Sequence, residues 1–87
     1  MESNTDRRVR EQLEKYDLIN TIGKVIRIKR EEKNMSKYAL SKAVFGNGTK
    51  TSRISKIEDG SHVVDVFTLH KILLVFEVDL QEFLVNL

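Results

Sequence analysis

The chain has 87 residues and a mass of 10.1 kDa, enough for one small domain and too little for a second, ligand-sensing one. Its 40% hydrophobic and 32% charged residues fall in the globular range, away from compositions that stay disordered. The net charge of +2 proves no polyanion partner, and the absence of cysteine excludes disulfides, cysteine-type zinc sites and thiol nucleophiles.

The first ten residues are polar and charged and lack the apolar run of a signal peptide. The longest apolar stretch, residues 72–76, is far too short to cross a bilayer. No membrane association is expected, and the expected compartment is the cytoplasm. Zero proline and four glycines leave little punctuation for β-turns, while the apolar spacing is helical almost throughout. The fold class is therefore all-α.

In chain order, residues 7–16 (RRVREQLEKY) place Val9, Leu13 and Tyr16 at i, i+4 and i+7. That pattern makes an amphipathic helix that is marginal alone. Thr21 is read as the cap of a second helix running to about Lys33, with Ile22, Val25 and Ile26 on its apolar face and Asn34 at its left-handed end. Residues 1–20 would thus form a helical arm on a domain of residues 21–87. Ser36 caps the next helix, from Lys37 to about Val44, with Leu40 and Ala43 or Val44 facing inward.

The run Phe45-Gly46-Asn47-Gly48-Thr49 predicts a turn of several residues. A helix opening near residues 49–51 follows, buries Ile54 and Ile57, and stops at Asp59-Gly60. Asp65 caps a further helix through Phe76, with Val66, Leu69, Ile72, Leu73 and Phe76 at three- and four-residue spacing. Asp79 and Glu82 form a capping-box pattern for a last short helix containing Leu80, Phe83 and Leu84.

Sorting the charge by position changes its meaning. Residues 24–56 hold ten basic side chains against Glu31 and Glu32, a local +8, whereas residues 57–87 hold Lys71 against six acids, a local −5. A charge run alone is an ordinary solvated face. Here, however, it spans two short helices joined by a glycine-containing turn, the second of them basic and hydroxyl-rich, an arrangement that can place a helix in a DNA major groove.

The motifs I22-G23-K24-V25-I26-R27, M35-S36, L40, I54-S55-K56-I57-E58-D59-G60, T68-L69-H70-K71-I72 and V78-D79-L80-Q81-E82-F83-L84 resemble the Xre/Cro/CI-type helix-turn-helix domain of phage repressors, restriction-modification controller proteins and many bacterial regulators. The resemblance covers residues 22–84. It implies a five-helix lambda-repressor-like domain, here with an extra N-terminal amphipathic helix, whose recognition helix is about Thr51–Glu58.

Carried over position by position, the resemblance implies base contacts from Lys50, Thr51, Ser52 and Lys56, and a base or phosphate contact from Arg53. Arginine and lysine donors suit guanine O6 and N7, and hydroxyls bond adaptably. Thr51 and Ser52 have a competing role as helix caps. Lys37, beside the Ser36 cap, would grip a phosphate together with backbone N–H groups. Ser61 and His62 could meet the next phosphate, although a solvated loop suits His62 better. The resemblance further implies a partly buried ion pair between Arg30 and Glu58, which is structural.

Three departures stand out. The segment between Ser36 and Ile54 is about three residues longer than the family's usual spacing, which enlarges the turn around residues 46–49. Lys29 stands at a usual core position, its stem able to lie along the core, and Glu77 stands where a glycine usually ends the helix. Val25, Ile28, Phe67 and Leu74 add hydrophobes at usually polar positions. The arm is expected to cover Val25 and Ile28 through Val9 and Leu13. Phe67, His70, Leu74, Val85 and Leu87 would form a homodimer surface, with thickening of a small core as the alternative.

The leading expectation is a sequence-specific, double-stranded DNA-binding transcriptional regulator, homodimeric on a two-fold operator. The competing one is an antitoxin or anti-regulator that mainly binds a protein partner and touches DNA for autoregulation. An enzyme fits poorly. His62 and His70 are eight residues apart and off helical register, no glycine-rich phosphate loop follows a strand, and no cofactor or metal is implied.

Overall fold

The computed structural model describes residues 3–85. Five α-helices run in the order α1 (Asn4–Glu32), α2 (Lys37–Phe45), α3 (Thr51–Glu58), α4 (Val66–Phe76) and α5 (Leu80–Val85), with a 3-10 turn, Gly48–Lys50, between α2 and α3. The described residues form no strand, and none of their helices is long and apolar enough to cross a membrane.

Six helix boundaries follow from local chemistry. The Ser36 hydroxyl accepts the Ala39 N–H at 3.0 Å and opens α2, and Gly46 closes that helix at φ +85°. The Asp65 carboxylate accepts the Thr68 N–H at 2.8 Å and opens α4. Asp79 accepts the Glu82 N–H at 2.7 Å before α5. Asn34 (φ 55°) takes the left-handed turn after α1, and Glu77 (φ 59°) ends α4 without a glycine by the same route. Each satisfies backbone groups that a helix end leaves unpaired.

The first helix corrects the sequence reading. The arm is helical, but no break separates it from the helix that follows: α1 is continuous for 29 residues, about 44 Å at 1.5 Å per residue. Thr21 is not a cap, because its hydroxyl donates to the Asp17 carbonyl at 2.8 Å, the back-bonding of a mid-helix threonine. A straight helix cannot fold onto its own later turns, so residues 7–16 cannot cover Val25 and Ile28. Ile28 stays exposed, and Val25 finds its cover against the core instead. The side chains of Val9, Leu13 and Tyr16, and all of Leu87, lie outside the described residues. The free end of α1 stretches the molecule to 49 × 27 × 20 Å.

The core gathers Ile26 from α1, Leu40 and Val44 from α2, Ile54 and Ile57 from α3, Leu69, Ile72, Leu73 and Phe76 from α4, and Phe83 from α5. Val66, expected on the inward stripe of α4, is 77% exposed. It is the first residue of its helix. Leu80 and Leu84 are exposed as well, leaving Phe83 as the anchor of the six-residue α5. Lys29 is half-buried, with its ammonium 4.0 Å from Glu32. Gly23 sets how closely α1 approaches α3, since a Cβ there would stand 2.3 Å from the Ile57 carbonyl oxygen and 2.8 Å from that of Glu58.

Candidate nucleic-acid interface

Helix α3 is short, and packing dictates which of its faces is free. Ile54, Ile57 and Glu58 are buried, so the opposite stripe of Ser52, Lys56 and Asp59 faces outward and is exposed, with half-buried Ser55 at its edge. Ser55 and Asp59 did not figure among the sequence-derived contacts, although their three- and four-residue spacing from Ser52 and from each other marks the same face. The Asp59 carboxylate accepts the Ser61 hydroxyl at 2.6 Å and the Ser61 N–H at 3.0 Å, which holds its carboxyl below the usual range. Such a carboxylate repels phosphate but accepts a cytosine N4 donor.

The enlarged turn ahead of α3 is tied down. Ser41, fully buried on α2, donates to the Asn47 carbonyl at 3.1 Å. The Asn47 side chain accepts the Thr49 N–H at 3.0 Å and the Thr49 hydroxyl. The ring of exposed Tyr38 lies against Gly48, where any Cβ would collide with it. Thr51 donates its hydroxyl to the Gly48 carbonyl at 2.7 Å, which joins the turn to the first residue of α3. Lys50, at the N-cap position of α3, makes no side-chain cap bond.

Six candidate contact residues thus separate into three groups. Ser52 and Lys56 are on the outward stripe, with Thr51 half-buried at its start. Lys50 and Arg53 both lie over the Phe45 ring, each with its charged group 5.2 Å from the ring centroid. Lys37, half-buried at the start of α2, lines a polar cleft of about 450 Å³ with Arg27, Arg30, Glu31, Ser55, Glu58 and Asp59. Ser61 closes the turn after α3, and His62 is exposed.

The floor of that cleft fixes α3 in place. Arg30 donates from Nε to Glu58 Oε2 at 2.7 Å and from Nη2 to Oε1 at 3.1 Å, and from Nη1 to the Met35 carbonyl at 2.7 Å. The Glu58 hydrogen bond, against the cost of burial, pushes the Arg30 pKa up from its already high value. The pair is charged and nearly closed to solvent, with side chains 10% and 3% exposed, and it locks the end of α3 to α1 and to the turn before α2.

Two apolar surfaces are left open. On α4, Phe67 is 67% and Leu74 is 63% exposed, His70 lies exposed between them, and the Lys71 ammonium covers the Phe67 ring at 4.5 Å. Val85 is exposed on α5. Beside α1, Leu18, Ile19, Ile22, Ile57, Val63 and Val64 line a groove of about 260 Å³ with Lys15 and His62 at its edge.

A model of the helix-turn-helix family matches residues 26–83, a span that starts in the last two turns of α1 and ends on the Phe83 anchor. No curated protein and no solved structure matches the chain.

Proposed function

The chain belongs to the Xre/Cro/CI-type helix-turn-helix family of DNA-binding transcriptional regulators, and from that premise we propose that it reads a specific double-stranded sequence with α3 in the major groove. The observation that carries this reading is the outward stripe of α3. Its Ser52 and Lys56 stand free on a helix locked at its far end by Arg30 and Glu58, and the cations Lys37, Lys50 and Arg53 flank it. Hydroxyl and ammonium donors on a rigid short helix suit base edges, and flanking cations suit phosphates.

In this reading Ser52, Lys56 and Thr51 address bases, Lys50 reaches the edge of the site, and Lys37 holds a phosphate. Two copies joined through Phe67, His70, Leu74 and Val85 would read half-sites about 34 Å apart. Binding-site selection from a random DNA pool tests the proposal. An enriched two-fold motif that relaxes in Ser52→Ala and Lys56→Ala supports it, and the absence of any enriched motif sinks it. Sedimentation of the free protein tests the dimer, with Phe67→Ala expected to shift the mass toward the monomer.

One observation favours a second reading, an antitoxin or anti-regulator. The groove along α1 is apolar and is lined on α3 by the buried Ile57 and by no residue of the outward stripe, as a protein-docking surface separate from the reading face would be. A partner encoded beside the gene that binds the wild type and is lost on Leu18→Asp, with DNA binding unchanged, would support that role.

A further inference from the structure

Arg53 is a cation whose surroundings in the free protein leave it poorly satisfied. One guanidinium nitrogen, Nη2, stands 3.5 Å from Asp65 Oδ2, the long limit for such a bond. Its Nε is buried with no hydrogen-bond partner. Its guanidinium carbon lies 5.2 Å from the centroid of the Phe45 ring, a ring that the Lys50 ammonium shares at the same distance.

Asp65, for its part, is occupied elsewhere. Its Oδ1 accepts the Thr68 N–H and its Oδ2 the Thr68 hydroxyl, both at 2.8 Å, and that pairing caps α4 without help from Arg53. With side chains 33% and 56% exposed, the Arg53–Asp65 pair is a weak surface contact. Arg53 also follows Ser52 directly, so it projects about 100° around α3 from the outward stripe. With the outward stripe of α3 turned to the floor of a groove, that flank would face its border, where phosphates are found.

We propose that Arg53 is stored on Phe45 and Asp65 in the free protein and is surrendered to a DNA phosphate on binding, so that Asp65 sets DNA affinity without touching DNA. The inference rests on the DNA-reading function proposed above. Asp65 is a restraint on the contact, and Phe45 is the positioning residue that keeps both cations at the edge of the site.

The test is a double-mutant cycle on the selected DNA sequence, read as affinity against salt. Asp65→Asn preserves an N-cap and removes the competing charge. It should tighten binding by about two- to fivefold, the size of an exposed ion pair. Arg53→Ala should weaken binding evenly across sequences and lower the slope of log affinity against log salt by about 1.

The decisive arm is Asp65→Asn in the Arg53→Ala background, where the gain should vanish. A gain that persists there overturns the proposal, because it reports only the removal of an acid near DNA. A relaxed sequence preference in Arg53→Ala, with an unchanged salt slope, overturns the phosphate assignment. Asp65→Ser, which caps through a hydroxyl, repeats the measurement if the asparagine variant loses thermal stability. Failure of the wild type to enrich any sequence is a different result and removes the DNA-reading function itself.

Discussion

The two halves of α1 share one backbone conformation and lead opposite lives. In residues 4–17 every side chain that the structure describes is exposed, in pairs such as Arg7–Glu11 at 3.1 Å. In the half that follows, Ile26 is fully buried, Gly23 lies against the α3 backbone and Arg30 binds Glu58. The contrast shows that helix continuity and helix anchoring are separate matters. A helix continues wherever no residue offers its backbone a better partner, whereas its contribution to stability comes from the face that another element covers.

Substitutions in the two halves should therefore differ by an order of magnitude. Arg30→Ala strands the buried Glu58 carboxylate and should cost about 3–5 kcal/mol, seen as a large drop in denaturation midpoint. Unchanged thermal stability would refute a structural role for the pair. Gly23→Ala drives a Cβ into the Ile57 and Glu58 carbonyls. It should cost about 1–3 kcal/mol even though alanine is the better helix former by about 1 kcal/mol. If calorimetry shows it neutral or stabilising, the two helices are not in that contact.

Acid offers a third, smaller effect on an element that α1 does not cap. The Thr68 N–H and hydroxyl hold the Asp65 carboxyl below its ordinary range. Its contribution is then fully present above the unfolded pKa and is lost as pH falls through the lower folded value. The Tm should fall on acidification below about pH 4, and part of that fall should be missing in Asp65→Asn. In the first half of α1, Arg7→Ala removes only an exposed i, i+4 pair and should change stability by no more than about 0.5 kcal/mol. A larger loss in thermal melts would mean that this half is anchored after all.

Much of the fold was legible from residues that act within one turn. Ser36, Asp65 and Asp79 mark helix starts, Asn34 and Gly46 mark ends, and Ile26, Leu40, Ile54, Ile72 and Phe76 recur at core spacing. The break assigned at Thr21 was misread because a threonine that caps and one that bonds back to the preceding turn look alike in sequence. The site was legible in part. The basic segment and its hydroxyl-rich helix stood out, but nothing local placed Arg53 beside Asp65, twelve residues away, or put Tyr38 on Gly48.

The sequence by itself determined the helical class, most helix boundaries, the gathering of positive charge on residues 24–56 and the resemblance to a helix-turn-helix domain, because caps, periodicity and charge runs are properties of neighbouring residues. Only the tertiary structure decided that α1 is one rod, that Val66 and Ile28 stay in solvent, and that Lys50 and Arg53 share the Phe45 ring. Those outcomes depend on which element covers which face, and that is set by packing between segments far apart in the chain.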